Sequence, residues 1–175
     1  MKKIWILSIT AALALTLSAC GVGDVGGASS SPSASSQAAS SQTSSSVTAD
    51  TVEDSLSGLE TYLVANASVT GTPETMRADI IGAKSGVKYK YGYNGGKDNV
   101  TVELYQFDPA SLNATAQQVV SQVKSSGRFM LLEKEVEATL SGNGKYVAIV
   151  ADSSTDDANK AYVQKIKDMV RNFKA

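Results

Sequence analysis

The sequence predicts an α+β fold, a two-layer sandwich in which helices cover one face of a four-stranded antiparallel sheet. Two pairs of apolar, strand-like segments are each joined by a glycine-containing turn, which favours two hairpins. Four segments with apolar residues at helical spacing lie before, between and after these hairpins. The predicted order is therefore α-α-β-β-α-β-β-α, in a single domain over residues 49–175.

The first half of this domain is predicted to form two helices and one hairpin. Asp50 can cap the first helix, because its side chain can accept a hydrogen bond from a free N–H of the first turn. Thr72-Pro73-Glu74 is typical of a helix start, with a capping hydroxyl and a proline at the first helical position. The predicted elements are helices over 50–65 and 73–83 and strands over 87–93 and 100–107.

The second half is predicted to form a helix, a second hairpin and a terminal helix. Asp108-Pro109 ends the preceding strand, and Gly127 ends the helix that follows. The run Val147–Val150 is wholly apolar, which predicts a position inside the sheet. The predicted elements are a helix over 109–126, strands over 129–140 and 145–151, and a helix over 154–173.

The first twenty residues resemble the signal sequence of a bacterial lipoprotein. Lys2 and Lys3 precede an apolar run that ends at Leu15, which is shorter than the roughly 20 residues that a membrane-spanning helix needs. The segment ends in Leu17-Ser18-Ala19-Cys20, which resembles a lipobox, the recognition site of the lipoprotein signal peptidase. The alternatives are a plain secretory signal with an incidental cysteine and an uncleaved membrane anchor.

The lipobox resemblance implies that residues 1–19 are removed and that a diacylglyceryl group is attached to the sulfur of Cys20. Each buried methylene contributes about 0.8 kcal/mol to membrane binding. Two acyl chains therefore hold a protein at the membrane, whereas a protein with a single chain dissociates readily. The resemblance therefore implies a lipid-anchored protein on the extracytoplasmic face of the cell membrane, and it favours a Gram-positive cell surface.

Residues 20–48 are predicted to be the lipidated cysteine followed by a flexible linker. This stretch is rich in Gly, Ser, Ala and Gln, and after Cys20 it has no aromatic residue. It has too little apolar surface to offset its own ordering entropy. A linker of this length has a mean reach on the order of 30 Å, enough to lift a small domain away from a lipid surface.

Composition excludes several chemistries for the chain alone. There is no histidine, which removes the Ser-His-Asp and Cys-His mechanisms and the commonest metal ligand. The single cysteine, Cys20, allows neither an internal disulfide nor a multi-cysteine zinc site. The 16 basic and 17 acidic residues are nearly balanced and the basic residues do not cluster, so we expect no nucleic-acid partner. We also expect no cofactor and no metal.

Aromatic residues on the predicted first hairpin are the main candidates for a binding surface. Tyr89, Tyr91 and Tyr93 alternate along one strand and share one face. They could stack sugar rings or peptide side chains, but packing under the helices is the favoured interpretation. Tyr105 and Phe107 fall on the face opposite Val102 and Leu104, so they could leave an apolar contact patch on the open side of the sheet.

Two sets of acidic residues are weaker candidates. A calcium site could use the side chains of Asp152, Asp156 and Asp157, although acids before a helix are ordinary capping residues. A carboxylate-dependent enzyme needs two acids roughly 5–10 Å apart in a cleft. Its candidates are Glu103, Glu133, Glu135 and Glu137, of which the last three alternate on one predicted strand. A solvated strand face that discourages aggregation is the favoured interpretation of that row.

These observations favour a noncatalytic binding or interaction domain at the cell surface, held by lipid, with an envelope protein or glycan as its partner. The alternatives are an accessory lipoprotein of a transport or secretion complex and an enzyme acting on wall or glycan through paired carboxylates. The stretches IGAKSGVKYKY and VELYQFD give the domain a distant resemblance to small uncharacterised lipoprotein domains of Gram-positive bacteria. That resemblance implies no activity.

Overall fold

Residues 47–175 are the part of the chain that the computed structural model describes. The predicted signal peptide, the lipobox Leu17-Ser18-Ala19-Cys20 and nearly all of the predicted linker lie outside these residues. The helices are α1 (Leu56–Ala67), α2 (Ala114–Ser126) and α3 (Asp157–Arg171), with a short 3-10 helix at Ala78–Ile81. The strands are β1 (Glu74–Thr75), β2 (Ser85–Tyr91), β3 (Val100–Gln106), β4 (Arg128–Leu131), β5 (Lys134–Glu137), β6 (Thr139–Leu140) and β7 (Tyr146–Asp152).

The main sheet has five antiparallel strands in the order β1-β2-β3-β7-β6, and β4 pairs with β5 in a separate two-stranded sheet. The predicted mixture of helices with an antiparallel sheet is confirmed, whereas the predicted count of four strands is wrong. The predicted hairpin over 87–93 and 100–107 is confirmed as β2 and β3, with Tyr89 opposite Val102. The Val147–Val150 run lies in β7, between β3 and β6.

The predicted helix over 73–83 is wrong. Glu74 and Thr75 instead pair with Lys88 and Val87 on the edge of β2, and the N–H of Met76 donates to the carbonyl of Gly86 at 2.9 Å. Only the four residues of the 3-10 helix turn helically. Pairing with the edge of β2 and burial of Ala78 and Ile81 in a hydrophobic core stabilise this conformation, and tertiary context of this kind overrides local propensity.

The helix predicted over 50–65 begins later than expected. Ser55 caps α1, and its side chain accepts a hydrogen bond from the N–H of Gly58 at 3.0 Å. Asp50 lies before the helix and does not cap it. A similar delay affects α2, because Asn113 caps it by accepting from the N–H of Ala116. The predicted end of that helix at Gly127 is confirmed.

The predicted arm over 129–140 is divided into β4, β5 and β6. Leu132 and Glu133 have φ angles of 46° and 64°, which close a two-residue turn between β4 and β5. A turn of this kind usually contains Asn or Gly, so the sequence carries no sign of it. The N–H of Ala138 then donates to the carbonyl of Gly127 at 2.8 Å, and the chain crosses from the small sheet to β7.

Both faces of the main sheet carry a hydrophobic core, so the predicted two-layer arrangement is wrong. Side chains alternate along a strand, and β3 contributes Val102 and Leu104 to one core and Tyr105 to the other. The first face packs against α1 and α3, and its fully buried residues include Leu59, Leu63, Val102, Leu104, Ile166 and Val170. The second face packs against α2, the 3-10 helix and the β4–β5 hairpin, and its core includes Tyr105, Phe107, Val119, Val123, Phe129 and Val147.

Candidate functional site

The apolar patch expected at Tyr105 and Phe107 is not an open surface. The two side chains do lie on the face opposite Val102 and Leu104, but they are only 6% and 2% exposed. They belong to the core beneath α2 and the 3-10 helix. The expectation assumed that helices cover a single face of the sheet, and the second covered face removes that surface.

The tyrosine row on β2 is largely part of the first-face core. Tyr89 and Tyr91 are buried, and the hydroxyl of Tyr89 donates to Glu60 at 2.6 Å. The hydroxyl of Tyr91 lies 2.8 Å from that of Tyr162, while the ring of half-buried Tyr93 stacks on Tyr162 with centroids 3.8 Å apart. The packing interpretation of this row is therefore confirmed.

Three of the four candidate carboxylates are held by separate partners, and the fourth lies in a turn. Glu135 pairs with Arg128 at 2.9 Å, and Glu137 pairs with Lys167 on α3 at 2.7 Å. Glu133 lies in the turn between β4 and β5, and Glu103 accepts a hydrogen bond from the hydroxyl of Tyr105. Within residues 47–175, no group of three or more His, Cys, Asp or Glu side chains is placed to hold a metal ion.

The cover on the second face ends part-way along the strands. Beyond Tyr105 and Val147, the residues of β2, β3 and β7 that point to this face are half-buried or exposed. Cross-strand pairs place them in two rows, Lys90-Thr101-Ala151 and Lys88-Glu103-Ile149. We call these six residues the polar half of the second face. At its β7 side this surface reaches a groove.

The groove runs between the edge of β7 and α3 and has a volume of about 360 Å³. Its strand side is formed by Val150, Ala151 and Asp152, and its helix side by Lys160, Val163, Gln164 and Lys167. Glu137 and Ser154 lie at its margins. The lining thus combines a small apolar area with charged and polar side chains that belong to three different segments of the chain.

The strand edge in this groove has no neighbouring strand among the described residues. β6 pairs with β7 only at Val147 and Ala148, and the chain before Thr139 turns away to form β5. The carbonyl of Lys145 accepts from the N–H of Phe107, and the N–H of Ser153 donates to the carbonyl of Asn99. Both groups therefore point to the β3 side. Main-chain groups alternate in direction along a strand, so those of Val150 and Asp152 point into the groove.

A polar network fixes the end of β7 beside the groove. One carboxylate oxygen of Asp152 accepts from the side chain of Asn99 at 2.9 Å and from the N–H of Ser154 at 2.8 Å. The other accepts at 2.7 Å from Asn159, which is itself 1% exposed and accepts from Asn94. Burial alone would raise the pKa of Asp152, but the hydrogen bonds from Asn159, Ser154 and Asn99 outweigh it and lower the pKa.

This network explains the placement of the acids near the start of α3. Asp152 serves as an acceptor for neighbouring amides, which rigidifies the strand end. Asp156 is the N-cap residue of α3 and Asp157 lies in its first turn, where a negative charge favours a helix. The capping interpretation of Asp156 and Asp157 agrees with these positions, although the side chain of Asp156 accepts no capping hydrogen bond.

Two lysines of α3 border the groove, and one side chain is held more firmly than the other. The ammonium group of Lys167 crosses one end of the groove to reach Glu137, and only 12% of its side chain is exposed. Lys160 contacts Asp157 at 3.0 Å, and the two side chains are 65% and 97% exposed. An exposed pair of that kind contributes little to stability. The cation of Lys160 can therefore turn towards a bound molecule at low cost.

The polar side chains of the groove are held by partners within the fold. Lys167 pairs with Glu137, Asp152 accepts from Asn159, and the hydroxyl of Ser154 donates to Asp156 at 3.1 Å. Sequence reasoning missed this site because its defining feature is non-local. Whether the β7 edge is unpaired depends on where β6 ends. The turn at Leu132 and Glu133, which directs the chain away from β7, contains neither of the residues that are typical of such a turn, Asn and Gly.

No protein-family model, curated protein or solved structure matches the chain. Nor does the part of the chain between residues 47 and 175 contain a helix that is long and apolar enough to cross a membrane.

Proposed function

We propose that this chain is a lipid-anchored, extracytoplasmic interaction protein, whose domain binds an extended polypeptide segment in the groove between β7 and α3. The observation that carries the proposal is the main-chain edge of Val150 and Asp152, which faces the groove and has no neighbouring strand within residues 47–175. Unpaired N–H and C=O groups at a sheet edge are a template for another extended chain. The domain acts by binding and does not catalyse a reaction.

Two other strand edges of the domain are at least partly protected, on β2 and on β4. The edge of β2 is covered by β1, and an ion pair between Lys88 and Glu74 lies across that contact at 3.0 Å. On β4, the N–H of Met130 donates to the side-chain oxygen of Gln122 at 3.3 Å. Protection of this kind prevents unspecific pairing with other strands. A strand edge that is left open beside a groove can therefore pair with a specific partner segment.

The proposed anchor rests on the amino-terminal sequence. Basic residues, a short apolar run and Leu17-Ser18-Ala19 before Cys20 together make up the lipobox pattern. Two acyl chains on Cys20 would hold the protein at the membrane, and the Ser-rich stretch after it would let the domain reach partners away from the lipid.

Site-specific photo-crosslinking tests the groove. A benzoylphenylalanine residue at Gln164, which lines the groove, is expected to form adducts with a partner polypeptide in cells that naturally express the protein. The same residue at Lys165 is the matched control, because Lys165 is exposed on the next position of α3 but does not line the groove. Mass spectrometry of the adducts then identifies the partner segment.

A second substitution tests the main-chain contact. Val150→Pro removes an N–H that faces the groove but leaves the hydrogen bonds between β7 and β3 in place, as prolines at open edges do. We expect it to abolish the adduct at position 164. Equal adducts at positions 164 and 165, or an adduct that persists with proline at 150, would show that the groove does not bind through the strand edge.

The anchor is tested separately with Cys20→Ser. We expect the natural protein to carry a diacylglyceryl group on Cys20 and to lack residues 1–19, whereas the serine variant remains an unlipidated precursor. Intact-protein mass spectrometry of membrane and soluble fractions measures both. A natural protein with a free thiol at Cys20 or with its first methionine still present would contradict the anchor and leave the groove proposal standing.

A further inference from the structure

We infer that residues 47–55, here called the strap, form a latch that opens locally while the rest of the fold remains closed. The strap precedes α1 and contains neither helix nor strand. Most of its residues are exposed, and only Ala49 and Val52 pack against the first-face core, both partly buried. A segment with so few buried contacts and no regular hydrogen bonds is expected to have a low opening free energy.

The strap is held mainly by Asp54. One carboxylate oxygen accepts from the side chain of Asn143 at 3.0 Å and from the hydroxyl of Tyr146 at 2.8 Å. The other accepts from the ammonium group of Lys145 at 2.5 Å. These partners follow Asp54 in the chain by 89 to 92 residues, so a single side chain joins the strap to the turn that leads into β7. The hydrogen bond from Lys145 lowers the pKa of Asp54, so its carboxylate stays ionised at neutral pH.

Two further links tie the strap to helices at its ends. The ammonium group of Lys174, just after α3, donates to the carbonyl of Val52 at 2.5 Å. The side-chain amide of Asn66 on α1 donates to the carbonyl of Val47 at 2.8 Å. Every long-range hydrogen bond of the strap therefore involves a side chain, and these bonds can break without disturbing a helix or the sheet ladder.

The strap also lies in close backbone contact with α1, at Gly58. A Cβ atom added to Gly58 would lie 2.0 Å from the carbonyl oxygen of Glu53, which is too close for two non-bonded atoms. Alanine at this position would therefore push the strap away from the helix. In an exposed helix the same change is normally favourable, because alanine has the higher helix propensity.

The position of the strap indicates what its opening does. The strap is the covalent connection between the preceding chain and α1. Release of Asp54 and of the other links frees up to nine residues of chain ahead of α1, while the two cores stay closed. The inference concerns the strap alone and does not depend on the proposed groove or anchor.

Hydrogen exchange of the full-length protein, followed by mass spectrometry, tests the inference. Asp54→Asn keeps an oxygen that can accept from Tyr146 but loses the charge that attracts Lys145. We expect this variant to raise the exchange rate of amides in residues 47–58 about tenfold, with β3 and β7 unchanged. Arg128→Ala is the matched control, because it removes an exposed ion pair on the separate β4–β5 sheet and should change neither region.

Gly58→Ala provides an independent variant that leaves every side chain of the strap intact. We expect it to raise exchange in residues 47–57 as Asp54→Asn does. An unchanged rate in both variants would show that the strap is not held as inferred. A rise of equal size in the strap, β3 and β7 would show that Asp54 and Gly58 support the whole fold, and would overturn local opening.

Discussion

The two faces of the main sheet are covered to different extents. On the first face, α1 and α3 cover the strands along their length, and tyrosine hydroxyls at the margin find partners within the fold. On the second face, α2 and the β4–β5 hairpin cover the part around Tyr105 and Val147 and leave the polar half open. Stability is therefore concentrated on the first face, and the surface available for binding lies on the second face and at the adjoining edge of β7.

The largest difference between the faces should appear along β3 itself. Leu104 is 0% exposed on the first face, whereas Thr101 points to the polar half of the second. Leu104→Ala should lower the free energy of unfolding by about 2–5 kcal/mol, because it removes buried methyl groups and leaves a cavity. Thr101→Ala should change it by no more than about 0.5 kcal/mol. Urea unfolding measures both, and equal losses would contradict the comparison.

A smaller effect is expected at the hydroxyl groups of Tyr91 and Tyr162, which hydrogen-bond to each other in the first-face core. Tyr91→Phe leaves the buried hydroxyl of Tyr162 without this partner, which should cost about 1–3 kcal/mol of the free energy of unfolding. Tyr162→Phe should cost a similar amount, but the double variant should cost clearly less than the sum, because no hydroxyl then remains unpaired. Strict additivity of the two single changes would show that the hydroxyls do not interact.

The sequence predicted those features that depend on neighbouring residues. The pairing of β2 with β3 follows from alternation on both sides of a glycine-rich turn, and the end of α2 follows from Gly127, which has a φ angle of 70°. The burial of Tyr89 and Tyr91 also followed, since Lys88 and Lys90 occupy the opposite face. Each of these predictions needs only a few adjacent side chains and the period of a strand or helix.

The features that the sequence did not predict depend on distant parts of the chain. Leu132 and Glu133 form a tight turn without the residues that usually favour one, so the division of the second hairpin was invisible. That division adds the β4–β5 hairpin to the cover of the second face and leaves the edge open at Val150. Alternation could separate the two faces of β3, but it could not show which elements would cover each face.

Alkaline pH should weaken the first face progressively. Burial, together with the hydrogen bond to Tyr162, raises the pKa of Tyr91 above its ordinary value of 10.0. The folded protein therefore holds the phenolic proton of Tyr91 more tightly than the unfolded chain does. The contribution of Tyr91 to the free energy of unfolding is complete below pH 10 and is lost as pH rises further. The urea midpoint should fall above about pH 10, and the Tyr91→Phe, Tyr162→Phe double variant should lose part of that dependence. An identical pH profile in the two proteins would contradict this assignment.

The smallest effect on stability is expected at the groove. Lys167 pairs with Glu137, whose side chain is 63% exposed, and such a pair is worth no more than about 1 kcal/mol. Lys167→Ala should therefore leave the urea midpoint almost unchanged, although part of its buried stem is lost. The same change removes the side chain that crosses one end of the groove, so crosslinking from position 164 should increase. A loss of stability as large as that of Leu104→Ala would contradict this assignment, because Lys167 would then behave as a core residue.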